Sequence, residues 1–402
     1  MKLFNLLKIW LRFSPILPLL FACASDSSRH ENVHQHGIFG DPLSVNFINA
    51  ELCSSPVSIV VYSNNVDKKE DFYLARPKTV NLKVSSSPRK IKAFCDKNND
   101  LIYQSSELYA EVDVKNKAPS MGWESELFFK PGNGKEDFSP PQLVLHALDK
   151  LSGENVFSLE NVKQGLWEPA QFNKRDLRGL YRFNHVSETK ETILFVHGIG
   201  GSPLDFNYFD EKLNDRYQLM FYFYPTGANI SDNGLELFRL FSLFERRNPN
   251  NRVHLVAHSM GGLVSRYFLN QCEISNNCRT LETFTSISTP WSGHYLAELG
   301  AKYAPNKLPV WEDLVPENYF LSELTETPIP ARIPHYLYFG FKQRDMLVLE
   351  SNDGVVSLKS MLNRKVQTQA EKVEGFNEDH TGILTNDEVI DKILFNISKV
   401  DE

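Results

Sequence analysis

The run Val253-His254-Leu255-Val256-Ala257-His258-Ser259-Met260-Gly261-Gly262 decides the fold. Its first half is a continuous apolar stretch of strand length, and a helical pattern takes over from Gly261 to Gln271. A serine at such a junction sits on a sharp turn, and small residues flank it by two positions because strand and helix approach closely there. Ala257 and Gly261 fill those positions, Ala257 adding one methyl to the glycine usual at the first. The turn holds the Ser259 hydroxyl clear of the sheet, and the helix amino terminus stabilises negative charge that develops beside it. Ser259 is the candidate nucleophile, and His258 reads as a structural residue beneath the turn.

The same texture extends on both sides. Apolar strands at 192–198 (TILFVHG), 217–225 (YQLMFYFYP), 283–289 (TFTSIST) and 335–341 (HYLYFGF) alternate with helical patterns at 235–247 and 387–400. Such alternation implies a parallel sheet covered by helices on both faces. At the end of the first of these strands stands His197-Gly198-Ile199-Gly200-Gly201, where glycines let the backbone approach a reacting oxygen. The Ile199 N–H and the Met260 N–H are the candidate oxyanion donors. A dinucleotide or phosphate loop is excluded, because neither G-x-G-x-x-G nor a following Lys-Ser/Thr is present.

An acid and then a base should follow the serine. His380, in Asn377-Glu378-Asp379-His380-Thr381, is the one histidine after His335 and precedes the final helix. Asp353, in Ser351-Asn352-Asp353-Gly354-Val355-Val356, is the candidate acid. Asp345 follows its strand too soon, and Asp379 adjoins the histidine, where the two side chains diverge. After the 283–289 strand, Trp291 reads equally as a wall of an acyl pocket or as core. The proline-punctuated, aromatic segment 295–334 reads as a cap over the site, either a moving lid or a rigid cover.

Together VAHSMGGLVSR, FVHGIGGSP, SISTPWSG, SNDGVVS and the late histidine resemble bacterial α/β-hydrolase-fold lipases, and also the HSMGG-bearing relatives of GPI inositol-deacylases. The resemblance covers about 182–402, half of the chain. It implies Ser259 as nucleophile, Asp353 as acid, His380 as base, and Ile199 and Met260 as oxyanion donors. The implied activity is hydrolysis of carboxylic esters of lipid or acyl substrates through an acyl-enzyme, with no cofactor required. The same triad serves an acyltransferase or an amide or thioester hydrolase. A surface binding protein with a vestigial hydrolase half is the alternative of another class, and the intact Ser/Asp/His order argues against it.

The amino-terminal half lies outside that resemblance. Segment 1–24 has Lys2, Lys8 and Arg12, then an apolar stretch about half the roughly 20 residues a membrane span needs, then small residues. This is a secretory-signal layout. Leu20-Phe21-Ala22-Cys23 resembles a bacterial lipobox, which implies a lipid-anchored protein of the outer membrane or cell surface with Cys23 modified. Ala22-Cys23-Ala24 is also an A-x-A site, which implies a secreted one. A polar tether with His30, His34 and His36 follows over 25–50.

Five short alternating runs between 56 and 115 predict a small β-sandwich over 51–117. A connector over 118–187, with one helical stretch at 141–151, leads to the α/β-hydrolase part at 188–402. Asp96, Asn98, Asp100 and Glu107 have the 1, 3, 5, 12 spacing of a calcium loop, although Leu101 stands where such loops carry glycine. The string resembles loops in carboxypeptidase-regulatory-like modules. An Asn/Asp-rich hairpin turn is the plainer reading, and structural calcium the alternative.

The 402 residues suit two domains, and 42% apolar with 23% charged residues exclude a disordered or multi-span membrane chain. A net charge of −7 without a basic run excludes a nucleic-acid partner. Of the five cysteines, Cys53 with Cys95 and Cys272 with Cys278 are expected to pair, which leaves Cys23 for lipid.

Overall fold

The computed structural model describes residues 41–399 apart from 56, 64–70, 76–79, 85–87, 98–102, 115–122, 133–144, 149–150, 152–154, 176, 184–189, 276, 305–306 and 343–350. The anticipated signal, Cys23 and the three tether histidines lie outside the described residues.

Eight strands come first: β1 (Asp41–Ile48), β2 (Val57–Ser63), β3 (Asp71–Ala75), β4 (Val80–Val84), β5 (Pro88–Cys95), β6 (Leu108–Asp113), β7 (Trp123–Phe128) and β8 (Lys130–Pro131). They form a three-stranded sheet in the order β4-β1-β7 and a five-stranded sheet in the order β3-β2-β5-β6-β8. Leu43, Val45, Phe47 and Leu127 of the first sheet share one core with Val57, Ile59, Ile91, Ala93 and Ala110 of the second. Alternation places these residues on the inner faces, as a two-sheet sandwich requires. Cys53 and Cys95 are joined across 42 positions, a closure that stabilises the fold by about 4 kcal/mol in the chain-entropy picture. Cys272 and Cys278 are also joined.

Two expectations are corrected here. The tether does not run to residue 50, since β1 occupies Asp41–Ile48, with Leu43, Val45 and Phe47 alternating inward. Nor is 118–187 a plain connector: β7 and β8 complete the small sheets, and two further strands join the large one.

The large sheet contains β9 (Leu145–Leu148), β10 (Gly179–Phe183), β11 (Thr192–Val196), β12 (Gln218–Phe223), β13 (Val253–His258), β14 (Leu281–Ile287), β15 (His335–Gly340) and β16 (Lys372–Phe376), in the order β16-β15-β14-β13-β11-β12-β10-β9. All neighbours are parallel except β10 and β12. β9 replaces the helix expected over 141–151, because Leu145–Leu148 pairs with Leu180–Phe183 along the sheet edge. Short apolar runs do not distinguish strand from helix by periodicity alone. Every residue of β11, β12 and β13 is buried, as expected of central strands covered on both faces. This is the α/β-hydrolase fold. Among the described residues no helix is long and apolar enough to cross a membrane.

Segment 295–334 contains the helices Tyr295–Tyr303, Pro309–Asp313 and Tyr319–Glu326. The buried Arg266 guanidinium holds the end of the last, donating to the Leu324 carbonyl at 3.2 Å and the Thr327 carbonyl at 2.5 Å. A cation is favoured where helix carbonyls end. At the middle helix, the Asp313 carboxylate accepts the Ile230 N–H at 2.7 Å, at the start of the helix Ile230–Arg247, and meets Asn229 Nδ2 at 3.3 Å.

Burial raises the Asp313 pKa from 3.8 to about 7, against the lowering effect of Ile230 and Asn229; Asp232 and Glu312 add to the rise. An acid raised on folding holds its proton in the folded chain after the unfolded chain has released it. Its contribution to stability is therefore full at low pH and is lost as the pH rises through about 7. In Asp313→Asn that contribution is absent. The parent-minus-variant difference in Tm should fall between about pH 5 and about pH 8, and a difference that rises or stays level contradicts the assignment.

Candidate active site

β13 ends at His258 and the helix Met260–Ser275 begins one residue beyond Ser259, so Ser259 alone makes the turn. Its φ is +53°, in the left-handed region that side chains avoid, at a cost of about 1–3 kcal/mol. The strain is held from both sides. The Ser259 N–H donates to the Ile287 carbonyl at 2.8 Å, and the helix start lies against the end of β11. A Cβ on Gly261 would stand 2.3 Å from the Val196 carbonyl oxygen and 2.5 Å from that of His197, so only glycine fits. One on Gly198 would stand 2.9 Å from the Ser259 Cβ, which brings the His197–Gly201 loop beside the hydroxyl.

The residues singled out at 353 and 380 meet the serine. His380 Nε2 lies 3.0 Å from Ser259 Oγ, and His380 Nδ1 lies 2.7 Å from Asp353 Oδ2. An ionised carboxylate only accepts, so the Nδ1 proton points to Asp353 and the Nε2 lone pair is left to accept from Ser259. Asp353 is fully buried, and its Oδ1 accepts the Val355 and Val356 N–H groups at 3.0 and 2.8 Å. Burial works to raise its pKa. The electrostatic attraction and hydrogen bond of the His380 ring, with the Val356 and Val355 N–H groups, outweigh burial and hold the carboxyl below its ordinary range. A second link fixes the spacing, as the His380 N–H donates to the Asp353 carbonyl at 2.8 Å.

The rivals have other surroundings. Asp379 turns away, its Oδ1 accepting the Gly382 N–H at 2.8 Å, and Asp345 lies outside the described residues. His258 packs 4.7 Å from the His380 ring, centroid to centroid, and its Nε2–H donates to the His380 carbonyl at 2.8 Å. Burial and the neighbouring His380 lower its pKa to about 3, so it is neutral and braces the histidine loop. Among the described residues the N–H groups of Ile199 and Met260 have no hydrogen-bond partner, which leaves both available to a ligand oxygen.

One contact was not legible in the sequence. His294 Nδ1 accepts the Leu296 N–H at 3.2 Å, so its Nε2–H donates to the Val355 carbonyl at 2.7 Å. This ties the start of the cap to the loop carrying Asp353, and no local pattern marks a pair 61 positions apart.

Other singled-out residues lie elsewhere. Trp291 is buried in the interior, its ring nearly perpendicular to that of His335 at 5.8 Å between centroids. In the small β-sandwich Asp96 and Glu107 are buried, and Glu107 accepts the Lys97 and Gln104 N–H groups at 2.8 and 3.0 Å. Its carboxylate thus closes a turn. Asn98 and Asp100 lie outside the described residues, and among those described no group of three or more His, Cys, Asp or Glu could hold a metal ion.

Residues 235–302 match the family model of lecithin:cholesterol acyltransferase. That stretch includes the serine turn and Trp291. No curated protein matches the chain. Among solved structures, the mature form of the Bacillus licheniformis lipase BlEst2 is similar at 19% identity and a TM-score of 0.43, covering 52% of this chain and 93% of its own. The lin2722 gene product of Listeria innocua is similar at 16% identity and a TM-score of 0.39, over 50% of this chain and 92% of its own. The Legionella pneumophila phospholipase PlaB follows at 15% and 0.37, over 43% of this chain and 45% of its own. Likenesses this slight add nothing to the fold that the sheet order already defines.

Proposed function

We propose that the chain is a serine hydrolase of carboxylic esters, acting on lipid or acyl substrates. The reading rests on one observation: a strained serine whose hydroxyl meets a histidine already held by a buried carboxylate. His380 Nε2 takes the Ser259 proton as Oγ attacks the ester carbonyl. The carbonyl oxygen gains negative charge and accepts the Ile199 and Met260 N–H groups. Asp353 stabilises the imidazolium without taking its proton. The tetrahedral adduct collapses, His380 returns the proton to the departing alcohol, and an acyl-Ser259 ester remains. Water, deprotonated by His380, attacks that ester, and a second collapse releases the acid and restores Ser259.

The lipid side of the reading is supported by the match of 235–302 to a family named for acting on lecithin and cholesterol. The same match favours a second reading, transfer of the acyl group to an alcohol acceptor in place of water. Two disulfides fit an exported protein, with Cys23 as the residue for a lipid anchor. Hydrolysis of p-nitrophenyl esters from short to long chains, alongside phospholipid, tests the function. Turnover is expected in the parent and absent in Ser259→Ala, while equal turnover in both overturns it. Acyl transfer is read in the same assay, by adding a sterol and following its ester.

A further inference from the structure

We infer that Tyr224 and Thr226 are positioning residues that aim the Ile199 N–H at the reacting oxygen. The inference rests on the hydrolase reading above. Both side chains are buried just past the carboxyl end of β12, and neither touches Ser259, His380 or Asp353 through a hydrogen bond. What they hold is the loop carrying the donor. The Tyr224 hydroxyl donates to the His197 carbonyl at 2.5 Å, and its ring stacks on the His197 ring at 4.4 Å. Thr226 Oγ1 accepts the Gly200 N–H at 3.1 Å.

The geometry of the peptide unit gives these bonds their effect. In a trans peptide the C=O and N–H share one plane and point in opposite directions. The His197 carbonyl lies in the plane between 197 and 198, which the Tyr224 hydroxyl fixes. The Gly200 N–H lies in the plane between 199 and 200, which Thr226 fixes. The plane between them carries the Ile199 N–H, and its Gly198 carbonyl accepts the Gly201 N–H at 3.2 Å. With that carbonyl tied back toward Gly201, the Ile199 N–H points the opposite way, and among the described residues nothing else takes it. Three successive planes are pinned, two of them from a single stretch of chain.

That stretch is itself anchored. Asn233 Nδ2 donates to the Pro225 carbonyl at 3.1 Å, between the two bracing residues. Tyr222, stacked on Tyr224 at 4.9 Å, donates to the Asn233 carbonyl at 3.0 Å. A donor held in place before reaction needs no reorganisation when charge develops on the oxygen, whereas a loose loop must reorient at that moment.

The test compares Tyr224→Phe and Thr226→Val with Tyr181→Phe and the parent in the full chain. Phe keeps the stacking and removes one hydroxyl, and Val keeps the shape of Thr. Tyr181→Phe removes another buried tyrosine hydroxyl, one that donates to the Leu177 carbonyl at 2.7 Å and plays no part in holding the loop. Each protein is measured for kcat and KM on a p-nitrophenyl ester, for inhibition by phenylboronic acid, and for Tm. The boronate forms a tetrahedral adduct with a serine and so reports on the oxyanion site in the absence of turnover.

Tyr224→Phe and Thr226→Val are expected to lose about 10-fold in kcat with KM within about two-fold, less than the 10²–10³ lost when a donor is removed outright. Boronate affinity should fall in parallel, and Tyr181→Phe should match the parent in both. The inference is overturned if the two variants keep parental kcat and boronate affinity, or if Tyr181→Phe loses as much as Tyr224→Phe. A parent inert toward both ester and boronate instead overturns the hydrolase reading, and this inference with it.

Discussion

Ser259→Ala should lower kcat for ester hydrolysis by about 10⁴- to 10⁶-fold and leave the fold intact. The size follows from what is removed. Without Oγ no acyl-enzyme forms, and His380 can only direct water at the carbonyl. The Ile199 and Met260 N–H groups proposed as oxyanion donors survive with the rest of the site, and such groups sustain about 10³- to 10⁴-fold over the uncatalysed reaction. The fold survives because the removed atom has one role. Among the described residues Ser259 Oγ bonds only to His380, while the turn is held by the backbone bond to Ile287 and by the packing of Gly261 on β11. Alanine at φ +53° carries the same backbone strain as serine, so the change in unfolding free energy should stay within about 1 kcal/mol. Kinetics and a denaturant titration on the same sample separate the two effects. Loss of activity together with loss of the unfolding transition would show that the serine turn is structural.

Asp353→Asn is the second large effect, on the order of 10⁴-fold in kcat. The substitution keeps size and shape, so the loop bonds from Val355 and Val356 to Oδ1 can persist. What changes lies opposite His380 Nδ1. An amide turned with its NH₂ toward the ring leaves Nδ1 as acceptor and moves the proton to Nε2. The wrong nitrogen then faces Ser259. An amide turned with its oxygen toward the ring preserves the tautomer, but it sets its NH₂ against the Val355 and Val356 N–H groups and removes the negative charge that stabilises the imidazolium. Either way kcat falls and KM changes little, because Asp353 is fully buried and makes no contact with substrate. The expected split is therefore in kcat alone. An Asn variant within ten-fold of the parent would show that another group supplies the charge.

The central strands and the serine turn were legible because local chemistry constrains them. Strands covered on both faces must be continuously apolar, and β11, β12 and β13 are buried at every position. The turn at Ser259 demands a small residue two positions on, and Gly261 meets a carbonyl where any Cβ would collide. Asp353 and His380 were singled out by their order after the serine, and the structure brings both beside it, although nothing in their own loops marks the meeting. Edge strands escaped for the converse reason. β16 exposes Lys372 and Val373, and β9 is four residues long, so neither carries a pattern that distinguishes it from a loop or a helix turn. β1 did alternate, but the polar segment before it masked the change. The loop braces were beyond local reading altogether, because Tyr224 acts on a carbonyl 27 positions away.

The central claim is that Ser259 is a nucleophile activated by His380. Treatment of the full chain with a fluorophosphonate, followed by intact mass and peptide mapping, tests it without knowledge of the natural substrate. A single phosphonyl adduct on the peptide containing Ser259, lost in Ser259→Ala and strongly slowed in Asp353→Asn, is the predicted result. No adduct on the folded parent, or an adduct on a different serine, would contradict it.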